Sequence, residues 1–298
     1  MKKAMFILNP SSGKELAGTY KDQTIETLQE MGYEVHVKET QGEGDATDFA
    51  RQACVEKYHL VTAMGGDGTI NEAVNGLAEQ EHRPIFSFIP LGTVNDFARA
   101  LGIPLDPVKA IEALKTAEPR FADIAKAQNK FFMNILAVGR IAENVSHVSV
   151  EQKTKLGALA YLIEGVKALT SDEETEVSVE HDHGTWKGNA VIVLAALTNS
   201  VGGFEKLAPN AETDDGLLHV FVVKSAGIPA FLRMASAILR GKLEEDPDVI
   251  VIKTKKARIE TTPELSCNLD GDEGCTTPID VKILERHIEL LVPIKEIV

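Results

Sequence analysis

The chain has 298 residues, 44% of them apolar, and a mean hydropathy of −0.06, a profile that predicts a globular protein of two domains with filled cores. A net charge of −14 excludes nucleic acid as an expected partner, because neutralising phosphates needs clustered Lys and Arg. Three cysteines, Cys54, Cys267 and Cys275, show no zinc-ligand spacing, and their odd count predicts free thiols instead of a disulfide framework.

At the N-terminus Met1-Lys2-Lys3 and Ala4 to Leu8 have the outline of a signal peptide, but Asn9-Pro10 ends the apolar run too early. The run is read as a first strand. The longest apolar stretch, Ala190 to Leu197, suits a buried strand and is far too short to span a bilayer. A cytoplasmic protein is therefore expected, with any contact to the inner membrane face peripheral, local and hydrophobic.

From Lys2 to about Ala122, short apolar runs alternate with amphipathic stretches, as in βαβα units. Strands are predicted at Ala4 to Leu8, Glu34 to Glu39, Leu60 to Ala63 and Ile85 to Ile89. Helices are predicted at Thr19 to Met31, Asp45 to Glu56, Ile70 to Leu77 and Val108 to Thr116. The pattern implies a Rossmann-like open parallel sheet, which binds ligands at the carboxyl ends of its strands. Three loops there carry unusual residues: Asn9-Pro10-Ser11-Ser12-Gly13-Lys14, Gly65-Gly66-Asp67-Gly68-Thr69, and Pro90-Leu91-Gly92-Thr93-Val94-Asn95-Asp96. The glycines of the second loop let backbone amides face a ligand, and the helix after them adds its positive end, so phosphate is expected here. Asp67 in the same turn makes sense if a divalent cation offsets its charge. The first loop resembles a phosphate cradle but lacks the order of a Walker A loop, and it also reads as a good turn. Asn95 and Asp96 suit either chemistry or a helix cap.

After about Ile124 the texture changes to short alternating runs: Phe131 to Val138, Thr175 to Glu180, Asn189 to Leu197, Leu217 to Val223, Val249 to Ile252, Ala257 to Thr261, Ile279 to Leu284 and Ile288 to Val292. These predict a β-sandwich as a second domain, 125–298 after 1–124, with the extreme C-terminus free to rejoin the first. Two apolar helices, Leu156 to Leu169 and Pro229 to Arg240, read as core helices or as a lipid-facing surface. In the second reading Lys153, Lys155, Arg233, Arg240 and Lys242 would suit an anionic bilayer. The run Ser171 to Glu176 reads as a solvated acidic loop. The segment Leu207 to Leu217 gathers hard oxygen ligands, with carbonyls and one Asp able to hold Mg²⁺ or Ca²⁺, although Asp214-Asp215-Gly216 also reads as a hairpin turn. Asp270-Gly271-Asp272 is an acidic turn able to supply a general base. It has no Glu at the twelfth position of an EF-hand loop, where Val281 stands.

Taken in order, Asn9-Pro10-Ser11-Ser12-Gly13, Gly65-Gly66-Asp67-Gly68-Thr69, Gly92-Thr93-Val94-Asn95-Asp96-Phe97-Ala98-Arg99, Ala208-Pro209-Asn210-Ala211 to Asp215-Gly216 and Asp270-Gly271-Asp272 resemble the bacterial diacylglycerol kinases and related lipid kinases. The glycine turn alone is shared with NAD kinases; the other segments point to lipid kinases, as does the likeness of Lys155 to Leu162 to a helix of that family. The resemblance implies an α/β nucleotide domain, a β-sandwich, and an active-site cleft between them. It implies ATP contacts at Asn9, Pro10, Ser11, Ser12, Gly13, Thr40, Gly65, Gly66, Asp67, Gly68, Thr69, Ile70, Asn71 and Thr93. By the same likeness Asp67, Asp96 and Asp123 organise a catalytic Mg²⁺, and Glu212, Asp215 and Leu217 hold a structural one. The resemblance implies that Asp270 and Asp272 deprotonate a lipid hydroxyl, with diacylglycerol the expected substrate and phosphatidic acid the expected product. The family usually has Glu where Asp272 stands, so its carboxylate is retracted by about 1.5 Å, one C–C bond. Arg140 stands where an aromatic is more usual. Lipid at a membrane surface and ATP are the expected partners, and a homodimer is admitted. The alternatives are an NAD kinase-like enzyme or a non-catalytic nucleotide- or lipid-binding regulator. Alanine at Asp67 or Asp270 is expected to abolish turnover with the fold intact.

Overall fold

A computed structural model describes residues 2–139, 175–200, 207–224 and 228–294. Its contacts divide the chain into two compact units, one from Met1 to Ala122 with Arg286 to Val298, the other from Asp123 to Glu285.

In the first unit the apolar runs become parallel strands β1 (Lys2–Leu8), β2 (Tyr33–Glu39), β3 (Leu60–Gly65) and β4 (Ile85–Pro90), ordered β4-β3-β1-β2. Ala4, Met5, Phe6 and Ile7 are wholly buried, as the unbroken apolar sequence of a strand covered on both faces requires. The helices are α1 (Ser12–Glu15), α2 (Lys21–Glu30), α3 (Asp45–Val55), α4 (Asp67–Leu77), α5 (Asp96–Leu101) and α6 (Pro107–Ala113). Helices α3 and α4 pack closely because Gly76 has no side chain: a Cβ there would lie 2.7 Å from Ala50 Cβ. The chain leaves β1 toward β2 on one side and returns to β3 on the other. The β1–β3 junction is thus the switch point at which an open sheet forms its ligand crevice.

The second unit is antiparallel. Strand β5 (Glu118–Ala127) runs into it and pairs with β6 (Lys130–Phe132). Strand β9 (Gly184–Ala196) is central and pairs with β7 (Ile135–Val138), β8 (Thr175–His181) and β10 (Leu218–Lys224). The ladder extends through β11 (Val249–Thr254), β12 (Lys256–Thr262), and the hairpin of β13 (Ser266–Leu269) with β14 (Asp272–Thr276). Alternate residues such as Val177, Val179, Ala257 and Ile259 fill one core. A second core joins Phe221, Leu207 and Ala208 to Met234 of α7 (Ile228–Leu239), with Ile238 packed against it. The last strand, β15 (Ile279–Val292), begins beside β12 in this unit and ends in the first, where Leu290 pairs in parallel with Phe86.

Several expected boundaries move. Helix α4 starts at Asp67, not Ile70, because the turn tightens at once over the glycines. Ser12 and Gly13 lie in α1, not in an open loop. The expected strand Phe131 to Val138 breaks at Met133-Asn134, whose amides are drawn to a side chain described below. The two final strands are one, β15, and strand β5 was not foreseen. Arg233, one of the cations that would suit an anionic bilayer, forms a two-pronged ion pair with Asp246, at 2.8 and 3.1 Å, and also meets Asp248. The helix expected at Leu156 to Leu169, Lys153, Lys155, Arg140 and most of the acidic run at Ser171 lie outside the described residues.

Candidate active site

The three loops after β1, β3 and β4 interlock at the carboxyl ends of their strands. Asp67, in the first turn of α4, accepts the Asn95 N–H at Oδ2 (2.9 Å) and the Asp96 N–H at Oδ1 (3.1 Å). Asn95 is left-handed at φ 54°, which turns its side chain back on Gly92: Oδ1 accepts the Gly92 N–H and Nδ2 donates to the Gly92 carbonyl, each at 2.9 Å. Only glycine fits at position 92, since a Cβ would stand 2.6 Å from Asn95 Oδ1 and 2.9 Å from Asp67 Oδ2. Leu91 N–H donates to the Gly65 carbonyl at 2.7 Å. From the first loop, Asn9 Nδ2 donates to Thr69 Oγ1 at 2.9 Å, while Asn9 Oδ1 accepts from Ser11 N and Oγ at 3.1 and 2.8 Å. Phe97 stacks on Phe88 at 5.7 Å between ring centres, which seats α5 against β4 and fixes Asp96.

Burial raises the Asp67 pKa, and the Asp96 carboxylate adds to the rise against the pull of the Asn95 and Asp96 amides. Two carboxylates so close, one poorly hydrated, are a hard oxygen donor set whose repulsion a divalent cation would relieve. Of the other expected nucleotide contacts, Pro10, Ser11, Gly68 and Thr93 are exposed, and Ser12, Gly13, Gly66 and Asn71 are half-buried. Thr40 is buried, its N–H bonded to the Leu8 carbonyl at 2.9 Å. Ile70 is buried and its N–H donates to the Gly66 carbonyl at 3.1 Å.

In the second unit Asp123 is buried and Oδ2 accepts the Gly216 N–H at 2.7 Å, while its own N–H donates to the Thr213 carbonyl at 2.7 Å. The loop that includes Glu212, Asp215 and Leu217 is thereby tied to Asp123. Asp215 accepts the N–H groups of Glu212 (3.3 Å) and Leu217 (2.9 Å), and Oδ2 lies 2.8 Å from His219 Nε2. Burial pushes the Asp215 pKa up, but the His219 bond and the amides outweigh it and hold the carboxyl below its ordinary value. His219 is fully buried and its Nδ1 has no hydrogen-bond partner among the described residues. The oxygens of this loop are hard donors of the kind Mg²⁺ takes. Among the described residues no three His, Cys, Asp or Glu side chains gather as a ready-made cage, so carbonyls and waters would have to complete the shell.

The acidic turn is a two-residue hairpin loop. Asp270 and Gly271 have φ of 50° and 100° while Leu269 pairs with Asp272, the left-handed pair that a type I′ turn demands. Asp270 Oδ2 accepts the Met133 N–H (2.7 Å), and Oδ1 accepts those of Asn134 (2.9 Å) and Ile135 (2.8 Å). Asn268 Oδ1 accepts the Gly271 N–H at 2.8 Å. Asp272 is exposed at the start of β14.

Comparison with known proteins decides the family. Residues 3–127 match the model of the diacylglycerol kinase catalytic domain, and residues 137–292 match the YegS C-terminal NAD kinase beta sandwich-like domain. A diacylglycerol kinase of Bacillus subtilis (strain 168) is 40% identical over 98% of this chain and 97% of its own length. This chain belongs to the bacterial diacylglycerol kinase family. The Staphylococcus aureus (strain JH9) diacylglycerol kinase is 37% identical over 98% of this chain and 93% of its own length. The crystal structure of a diacylglycerol kinase from Bacillus anthracis str. Sterne superposes with a TM-score of 0.84 at 32% identity, covering 98% of this chain and 97% of that one. The chain is thus a kinase acting on a lipid alcohol.

Three features of the candidate site lie beyond what single residues signal. His219 could have been noticed as a polar residue four places after Asp215 in an otherwise apolar strand. Asn95 stands at the N-cap position of α5, as one reading of the sequence expects, but its side chain bonds to Gly92 and not to the helix. The Met133 to Ile135 amides carry no side-chain signal at all.

Proposed function

We propose that this lipid kinase transfers the γ-phosphoryl group of ATP to the free hydroxyl of diacylglycerol, yielding phosphatidic acid, and that Mg²⁺ is required. The observation that carries the reading is the interlocked triad of loops, in which Asp67 is fixed by the Asn95 and Asp96 amides at the carboxyl ends of parallel strands. The glycine turn and the N-terminus of α4 suit a triphosphate, with backbone N–H groups aimed at phosphoryl oxygens and a favourable helix dipole. Asp67, Asp96 and Asp123 would hold the catalytic Mg²⁺, and the Glu212 and Leu217 carbonyls with Asp215 the structural one. Bound there, the metal supplies charge neutralisation on the transferring group. Asn9 and Thr69 order the first loop around the nucleotide. Asp270 and Asp272 take the hydroxyl proton as the new P–O bond forms.

The test supplies labelled ATP, Mg²⁺ and diacylglycerol in mixed micelles, with parallel reactions lacking metal, offering other lipid alcohols, or offering NAD. Labelled phosphatidic acid that depends on Mg²⁺ and on Asp67 is expected. A different phosphorylated lipid overturns the substrate assignment, and turnover unaffected by chelation overturns the metal.

A further inference from the structure

Cys267 of β13 and Cys275 of β14 meet across the acidic hairpin with their sulfurs 3.1 Å apart. Both are free thiols. A disulfide needs about 2.05 Å, so bridging asks for an approach of only about 1 Å.

The backbone favours this meeting. Pairing of the two strands slips between Ser266 and Asn268, which brings the two residues onto one side. A Cβ on Gly274 would lie 3.1 Å from Cys267 Sγ, so glycine there leaves the sulfur its place. Both peptide groups of Cys275 clasp that sulfur, the N–H at 3.0 Å and the carbonyl at 2.5 Å. Lys130, whose Nζ donates to the Glu273 carbonyl at 2.9 Å, adds positive charge beside the pair. The Cys275 thiol, above all, holds the Cys267 pKa below the ordinary thiol value, while the bond to Cys267 and then burial push that of Cys275 above it, so Cys275 is the attacking sulfur by access and not by acidity. Cys267 is buried while Cys275 is partly exposed, so an external reagent reaches Cys275 and leaves Cys267 as the inner partner. The remaining thiol, Cys54, is buried in the first unit, its pKa pushed up to about 11 chiefly by burial.

We propose that Cys267 and Cys275 are a reversible oxidation site at which a low-molecular-weight disulfide converts the two thiols into an intramolecular disulfide. The Cys275 sulfur attacks one sulfur of the reagent RSSR, forming a mixed disulfide and expelling RS⁻. The Cys267 sulfur then attacks Cys275 Sγ, forming the cross-strand bond and expelling the second RS⁻. Both thiol protons pass to the expelled thiolates, so the protein loses two hydrogens and one RSSR is reduced to two RSH. The bond closes a ring that contains Asn268 and Asp270, and the oxidation state thereby sets the geometry of the turn on which Asp270 is mounted.

Oxidised glutathione is the probe, applied to the full chain before denaturation, alkylation and peptide mapping by mass spectrometry. The expected result is a Cys267–Cys275 cross-link with Cys54 alkylated, reversed by dithiothreitol. Cys267→Ser should instead retain a glutathione adduct on Cys275, and Cys275→Ser should react at least tenfold more slowly. Alkylation of both Cys267 and Cys275 after treatment that fully oxidises a reference dithiol overturns the proposal. So does a wild-type protein that keeps glutathione on Cys275 with Cys267 still free.

Discussion

Asp123 Oδ2 accepts the N–H of Gly216 at 2.7 Å across 93 positions of sequence, so a carboxylate expected to serve catalysis is bonded to the loop expected to hold a structural cation. Both residues are buried. Asp123→Ala leaves the amide without its acceptor and should cost about 1–3 kcal/mol in urea unfolding. Asp123→Asn keeps an acceptor and should stay within about 1 kcal/mol of wild type, yet lose lipid phosphorylation on the order of 10²-fold or more. Equal activity of wild type and the Asn variant would remove the charge from the mechanism.

Gly92 is predicted to tolerate no side chain. Its Cβ would collide with Asn95 Oδ1 and Asp67 Oδ2, so Gly92→Ala should destabilise by roughly 1–3 kcal/mol and weaken nucleotide binding by splaying the loops after β3 and β4. Calorimetric titration with a non-hydrolysable ATP analogue measures the second effect.

Asp270 is more than a proton acceptor. Alanine there orphans the N–H groups of Met133, Asn134 and Ile135, residues that are all buried, so the variant is expected to keep its fold at a lower stability. Asp270→Ala should lower the thermal midpoint, at about 1–3 kcal/mol for each amide that water does not reach. Asp270→Asn, which retains an acceptor, should unfold nearer to wild type. Identical midpoints for wild type and the alanine variant would show the clamp to be worthless.

Asp67 gives a pH signature. Burial, aided by Asp96, places its pKa above the ordinary 3.8. Between that value and the raised one the folded chain binds more proton than the unfolded chain, so wild-type stability falls as pH rises through the window. Below 3.8 the cost is absent, and above the folded pKa it is complete. Compared with Asp67→Asn, which does not titrate, the wild type should lose ground from about pH 4 upward and then level off. Urea unfolding across the range reads this, and a difference that moves in favour of wild type with rising pH refutes it.

His219 should act through Asp215. Its Nε2 contact at 2.8 Å orients the carboxylate, and such supporting contacts are worth roughly 10–100-fold in metal affinity. Thermal-shift titration with Mg²⁺ should place the midpoint for His219→Leu at correspondingly higher concentration. An unchanged midpoint would leave His219 as packing only.

Much of this was legible from local chemistry. Unbroken apolar runs such as Ala4 to Leu8 specify strands covered on both faces, glycines at 65, 66 and 68 specify a sharp entry into a helix, and Asp270-Gly271 specifies a tight hairpin turn. Each signal resides in neighbouring residues, where backbone sterics and periodicity act. It was the tertiary structure that decided which distant groups meet: Asn9 with Thr69, Asp123 with Gly216, Asp270 with the amides of 133–135, and Cys267 against Cys275. Those contacts follow from strand order and pairing register, and a side chain that accepts a remote peptide N–H leaves no trace in the identity of its partner, because every residue but proline carries one.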